Sequence, residues 1–107
     1  MADFVLLYRG GGDMPETEEG RKQAMDAWTS WFGTLGDAVK DGGNPFTETA
    51  KRVASDGSID DVPTSGIATG YSILRADSID AATTLAKDCP VLQGGGEIEV
   101  YETFPVM

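Results

Sequence analysis

The spacing of apolar residues changes along the chain, and each change marks an element. Residues 3–9, DFVLLYR, form a nearly continuous apolar and β-prone run, closed by Gly10-Gly11-Gly12. That density predicts a first strand covered on both faces. Met25, Trp28, Phe32, Leu35 and Val39 then recur at spacings of 3, 4, 3 and 4, which puts them on one face of a helix. Asp13 and Glu16 have the spacing of a capping box, with Thr17 as a rival N-cap. Asp41-Gly42-Gly43 is expected to stop this helix. Gly33 and Gly36 lie inside it and cost about 1 kcal/mol each relative to alanine. Close packing of the helix on a sheet would explain them.

Asn44-Pro45 is a break, and residues 49–54, TAKRVA, read as a weak second strand. Residues 55–66 are rich in Ser, Asp, Gly, Pro and Thr and read as a loop, with Asp56-Gly57 as a turn. Residues 67–76, IATGYSILRA, are the third strand. Asp77-Ser78 caps a second helix whose buried face carries Ile79, Ala82, Leu85, Ala86 and Cys89, and Pro90 ends it. Gly94-Gly95-Gly96 is a turn. Residues 97–104, EIEVYETF, alternate. Ile98, Val100 and Glu102 fall on one side, and Glu97, Glu99, Tyr101 and Thr103 on the other.

The order β-α-β-β-α-β is the split βαβ of the ferredoxin-like fold, an α+β class, in one domain spanning residues 1–107. Both helices should cover one face of an antiparallel sheet. The other face would then be a large exposed apolar patch. A second copy of the same sheet is its simplest cover, so a homodimer is expected.

Charge narrows the partners. The chain carries 8 basic and 18 acidic residues, a net charge of −10. It would repel nucleic acid and anionic membrane alike, because both need a basic footprint. Cys89 is the one cysteine, so no intrachain disulfide can form, which favours a reducing compartment. Residues 1–9 are too short an apolar run for a signal peptide or a membrane span. A cytoplasmic location is expected.

Histidine is absent. That excludes histidine acid–base catalysis, histidine-activated nucleophiles and histidine-ligated metal sites. Chemistry would have to run on carboxylates, Tyr, Lys, Arg, the backbone or a cofactor, and no cofactor is indicated.

Several residues have both a structural and a functional reading. Trp28 and Trp31 are helix neighbours three apart. They are either core or interface aromatics, or the wall of a small-molecule cleft. Trp31 is the less committed to the apolar stripe. Tyr8 and Arg9 end the first strand, and Tyr71 and Arg75 share one side of the third. Pairing of those strands could bring Tyr8 near Tyr71. An arginine among aromatics would suit a carboxylate or an enolate-like anion. The plainer reading is sheet-edge residues salt-bridged to some of the many acids.

Gly10-Gly11-Gly12 lacks the Lys-Ser/Thr of a phosphate loop and the spacing of a dinucleotide fingerprint, so it reads as a flexible loop, as does Gly94-Gly95-Gly96. Asp56, Ser58, Asp60 and Asp61 loosely imitate a calcium loop, but the sixth position is Asp61 and the twelfth Ile67. A solvated acidic loop is the better reading, and no metal site is expected. Cys89, at a helix C-terminus, should be a buried apolar group. Asp37 could act as a general base if buried, but it falls off the apolar stripe and should be exposed.

The stretches GYSILRADSIDAATTLAKDCP (70–90) and GGGEIEVYE (94–102) resemble the C-terminal half of YCII-related proteins. LLYRGG (6–11), AWTSWFGTLGDAVKDGGNP (27–45) and VASDG (53–57) resemble the first half. The resemblance implies a dimeric α/β barrel, with clefts between sheets and helices. It also implies a catalytic pair, a histidine in the first helix with an aspartate near it. Here that helix carries Trp28 and Trp31 and no histidine. The DGPF motif of one large branch is missing too: Asp56-Gly57-Ser58-Ile59 and Asp61-Val62-Pro63-Thr64 both depart from it.

The reading is a small-molecule-binding homodimer lacking the histidine-based pair, with Tyr8, Arg9, Trp28, Trp31, Tyr71 and Arg75 as ligand-binding candidates. The alternative is a cofactor-free enzyme acting on a small aromatic or enolisable substrate in an aromatic-lined cleft.

Overall fold

The computed structural model of the protein describes residues 1–11, 16–63, 65 and 67–106. The elements run β1 (Ala2–Arg9), α1 (Glu18–Leu35), β2 (Val39–Asp41), β3 (Lys51–Val53), β4 (Ile59–Asp61), β5 (Ala68–Ala76), α2 (Ile79–Ala86) and β6 (Glu97–Glu102). Four of the strands form one sheet in the order β2-β5-β1-β6, with every neighbouring pair antiparallel. With β3 and β4 set apart as a hairpin, the main sheet and its helices keep the βαββαβ order.

The period of two in β1 and β5 divides the sheet into two faces. Phe4, Leu6 and Tyr8 of β1 are buried, as are Ser72, Leu74 and Ala76 of β5. Both helices lie over this side, where Trp31 of α1 and Ala82 and Ala86 of α2 complete the core. Trp31 Nε1 donates to the Leu85 carbonyl at 3.1 Å and ties α1 to α2. The opposite face carries Val5, Leu7, Tyr71 and Ile73, half-buried, with Tyr101 52% exposed. No helix covers it.

Helix α1 begins on Thr17, whose Oγ1 accepts the Gly20 N–H at 3.0 Å. Asp13, Gly12 and Thr64 fall outside the described residues, and with them the Asp13 capping box and the ends of two quoted motifs. The helix does not run to Asp41. It stops at Leu35, where Gly36 adopts φ +56°, and Val39 joins a strand opposite Leu74. Gly33 is not a packing device, since a Cβ there would meet nothing within 4 Å. The buried stripe is also rotated from the expected one. Met25 is 66% exposed, and Trp28, Trp31, Phe32 and Leu35 face inward. On α2, Ile79 is likewise more exposed than expected, at 44%.

Residues 49–54 do not supply the second strand of the main sheet. Lys51–Val53 pairs instead with Ile59–Asp61, inside the segment expected to be loop, as a separate two-stranded hairpin. Its turn is held by Ala54 N–H to Ser58 O at 2.8 Å and by Gly57 at φ +87°. Asp56 Oδ1 accepts the Ser58 N–H at 2.9 Å, and the Ser58 hydroxyl, together with that N–H, holds its carboxyl below the usual range. The acids that imitate a calcium loop are thus turn and strand residues, and Asp61 pairs with Lys51. Among the described residues, no group of three or more acids, cysteines or histidines is placed to hold a metal ion.

Gly11 and Gly94, one from each glycine run, are close-contact positions. A Cβ on Gly94 would sit 2.2 Å from the Gly11 carbonyl oxygen, and one on Gly11 would sit 2.5 Å from Val91. Backbone meets backbone there, and only glycine leaves room.

Candidate functional site

The six candidates from the sequence fall into two groups on opposite faces. Tyr8, Trp28 and Trp31 lie on the helix side. The Tyr8 and Trp28 rings meet edge to face at 5.3 Å, and Trp28 and Trp31 do so at 5.8 Å. This cluster is packed rather than hollow. Tyr8 is 5% exposed and Trp31 4%, so Trp31, expected to be the looser of the two tryptophans, is the buried one. Trp28 is half-buried.

Tyr8 does not approach Tyr71. Their strands pair, but Tyr8 stands opposite Gly70 and Tyr71 opposite Leu7. The one-residue offset sends the two rings to opposite faces, so no cleft walled by Tyr8, Trp28, Trp31 and Tyr71 exists.

The buried end of Tyr8 is satisfied polar structure. Its hydroxyl donates to Ser72 Oγ at 2.7 Å, and Ser72 donates to the Gly42 carbonyl at 2.7 Å. Burial holds the Tyr8 hydroxyl above its ordinary range, and the Cys89 thiol beside it adds to the shift. Burial likewise raises the Cys89 thiol from 9.0 to about 11. At neutral pH both are protonated and shielded. The folded protein holds the Cys89 proton more tightly than the unfolded chain does. The thiol's contribution to stability is therefore complete below pH 9 and is lost as pH rises through about 11. Urea midpoints measured from pH 8 to 11 should fall, and Cys89→Ala should fall less steeply. Iodoacetamide at pH 8 should label Cys89 only in urea.

Arg9, Tyr71 and Arg75 lie on the uncovered face. Arg75 stands near one end, 3.6 Å from Asp3, which also pairs with Lys40. These cations hold the Asp3 carboxyl below its usual range. Arg9 stands at the other end, where its Nε donates to Glu99 Oε1 at 2.9 Å and lowers that carboxyl too. Asp3 and Arg75 are cross-strand partners, whereas Arg9 lies opposite Ala68, so the two arginines cannot grip one small ligand.

A groove of about 670 Å³ opens at the Arg9 end. Three separate parts of the chain build it: Arg9 at the end of β1, residues between Pro45 and Arg52 leading into the hairpin, and Val62, Pro63, Ser65, Ile67 and Ala68 after it. Phe46, 44% exposed, supplies an aromatic wall. Its ring stacks on Tyr71 with centroids 5.8 Å apart and planes 21° from parallel. Phe46 is placed there because its N–H bonds to the Thr69 carbonyl at 2.8 Å, next to the Pro45–Gly70 bridge. Val62, Pro63 and Ile67 add apolar lining, Thr47 and Thr49 add hydroxyls, and Arg52 joins Arg9 as a second cation. Sequence reasoning missed Phe46 and Arg52. The Asn44-Pro45 break before Phe46 was the one available signal, and Arg52 had none.

No family model matches the chain, and no curated protein matches it. Among solved structures, it is similar to 5-chloro-2-hydroxyhydroquinone dehydrochlorinase (TftG) from Burkholderia phenoliruptrix AC1100, in complex with 2,5-dihydroxybenzoquinone. The TM-score is 0.54 at 16% identity, over 94% of this chain and 93% of that one. At that identity the likeness shows the fold alone, an α+β unit with a four-stranded antiparallel sheet and two helices. Among the described residues, no helix is long and apolar enough to cross a membrane.

Proposed function

We propose that this protein is a small-molecule-binding homodimer of the YCII-related type, without that family's histidine-based catalytic pair. The observation that carries the reading is the uncovered sheet face, which opens at one end into the groove beside Arg9. A ligand there would sit at the margin of a sheet-on-sheet dimer.

Surface area supports the dimer. The chain exposes 7683 Å², whereas a compact monomer of its mass exposes about 5,700 Å². The excess is of the size that obligate homodimers bury, about 1,000–2,500 Å² per partner. The uncovered face is also apolar at its centre and ion-paired at both ends, the plan of an interface with a dry core and a polar rim.

A second reading is a cofactor-free enzyme for a small aromatic or enolisable substrate. It is favoured by the fold shared with TftG, whose name and ligand are those of an enzyme on such a ring. Binding is placed first for a chemical reason. Among the described residues, the charged side chains lining the groove are Arg9 and Arg52, and neither is of the type that general-base catalysis uses.

Light scattering behind a sizing column should give twice 11.3 kDa. A thermal-shift panel of neutral, anionic and cationic small aromatics should raise the melting temperature for at least one member. A monomer that no compound stabilises would sink the reading. Turnover of a stabilising compound would move the enzyme ahead of the binder.

A further inference from the structure

We propose that the groove takes a small organic carboxylate on a flat apolar body, with Arg52 of the hairpin as its charge partner. The proposal rests on the small-molecule-binding reading and narrows it to one class of ligand.

Charge distribution is the first argument. Acids make up 18 of 107 residues, about one in six, so a wall of 12 residues drawn evenly from this chain would carry two. Among the described residues, the groove wall carries none, and it holds two of the protein's four arginines, Arg9 and Arg52. Two guanidinium groups in such a wall, on a protein of net charge −10, favour an anion at that place over the rest of the surface.

Hairpin geometry is the second. Arg52 lies on the strand face opposite to Val53, because side chains alternate along β3. Val53 and its cross-strand partner Ile59 point away into solvent, 67% and 65% exposed. Arg52 points to the groove. Asp60 is its cross-strand partner, yet among the described residues Arg52 makes no ion pair, while Lys51, Arg9 and Arg75 each make one. Arg9 is oriented by Glu99, whereas the Arg52 fork is available for bidentate binding of a carboxylate.

The walls supply the third. Phe46 offers an exposed ring already backed by Tyr71, and Val62, Pro63 and Ile67 add apolar surface to the same groove. A flat apolar body there would stack on the ring and bury apolar area against the aliphatic lining. Phosphate sites are built from converging backbone N–H groups, and here two wall residues, Pro45 and Pro63, have no N–H to offer. The volume, about 670 Å³, is of the size that holds a small organic ligand, in the range of about 300–1,000 Å³.

The test is calorimetric titration of the intact protein with 2-naphthoate, its neutral amide 2-naphthamide, and inorganic phosphate. Amide NMR spectra would locate each response. We expect 2-naphthoate to bind, to shift the Phe46 and Ile67 amides, and to weaken as salt is added. The amide and phosphate should bind at least tenfold more weakly. Arg52→Gln, on an exposed hairpin strand, should keep the wild-type melting temperature and lose about tenfold or more of the naphthoate affinity. The proposal is overturned if Arg52→Gln binds naphthoate unchanged, if the amide binds as well as the acid, if phosphate alone matches it, or if no probe binds. Binding of the amide in the groove would overturn the carboxylate proposal and leave small-molecule binding standing. Failure of the whole thermal-shift panel would remove both.

Discussion

Trp31→Ala should cost about 3–5 kcal/mol, the range for deleting a buried tryptophan. Trp31 fills the space between α1, α2 and the sheet at 4% exposure, against Phe32 at 5.0 Å and Trp28 at 5.8 Å. Its removal leaves a cavity and also strips the Leu85 carbonyl of its donor. A domain of this size holds roughly 5–15 kcal/mol in all, so the variant should be partly unfolded at 37 °C. Trp28→Ala should cost clearly less, because Trp28 is half-buried and donates no hydrogen bond in the core. Urea melts followed by circular dichroism would rank the two. Equal losses would show that the core is not organised around Trp31.

Gly43→Ala should be comparably damaging, for a backbone reason. Gly43 adopts φ +71°, and a Cβ there would lie 1.8 Å from the Tyr71 carbonyl oxygen and 2.7 Å from its carbon. No rotamer relieves such an overlap, because the Cβ position is set by the main chain. The strain of a left-handed alanine alone is of order 1–3 kcal/mol. Here the chain at 42–44 must also lift off β5, so the loss should exceed about 3 kcal/mol. Gly36→Ala is the control: φ is +56°, but a Cβ would meet nothing within 4 Å. It should show only the conformational cost. If the two variants melt together, the close approach of residue 43 to β5 is not real.

These two positions also mark what could and could not be read from the sequence. The stripe through Trp28, Phe32 and Leu35 predicted α1, but it continued in register to Val39, and nothing local separates a helix that ends at Leu35 from one that ends at Asp41. The strand at Val39–Asp41 exists because Leu74 lies opposite it, which is a tertiary fact. Gly36 was visible as a glycine, but its role as the helix stop depends on its φ. Strands β1, β5 and β6 were legible because runs and alternation are local properties. The hairpin was half legible: Asp56-Gly57 announced a turn, but β4, Ile-Asp-Asp, is three residues with a single apolar position, too short to show a pattern.

The site was less legible than the fold. Arg9 stood out at the end of a strand. Arg52 did not, since one cation on a polar strand gives no sign of what it faces. The groove is assembled from three segments that only the fold brings together. Tyr8 and Tyr71 show the opposite failure. Their strands do pair, but a shift of one residue in register decides which face each ring joins, and register depends on partners distant in the chain.

The central place of β1 bears on how the chain comes together during synthesis. Its neighbours are β5 and β6, so Phe4 waits for Leu74 on one side and Glu102 on the other. Contacts of such long sequence separation form late and slowly, because a long loop must close before they are rewarded. On the ribosome, α1 and the β3–β4 hairpin are the pieces that can form from local contacts. Strand β1 is made long before either partner, and until β5 has emerged its apolar run has no strand to pair with. For that interval DFVLLYR is the segment of this protein most in need of protection from aggregation.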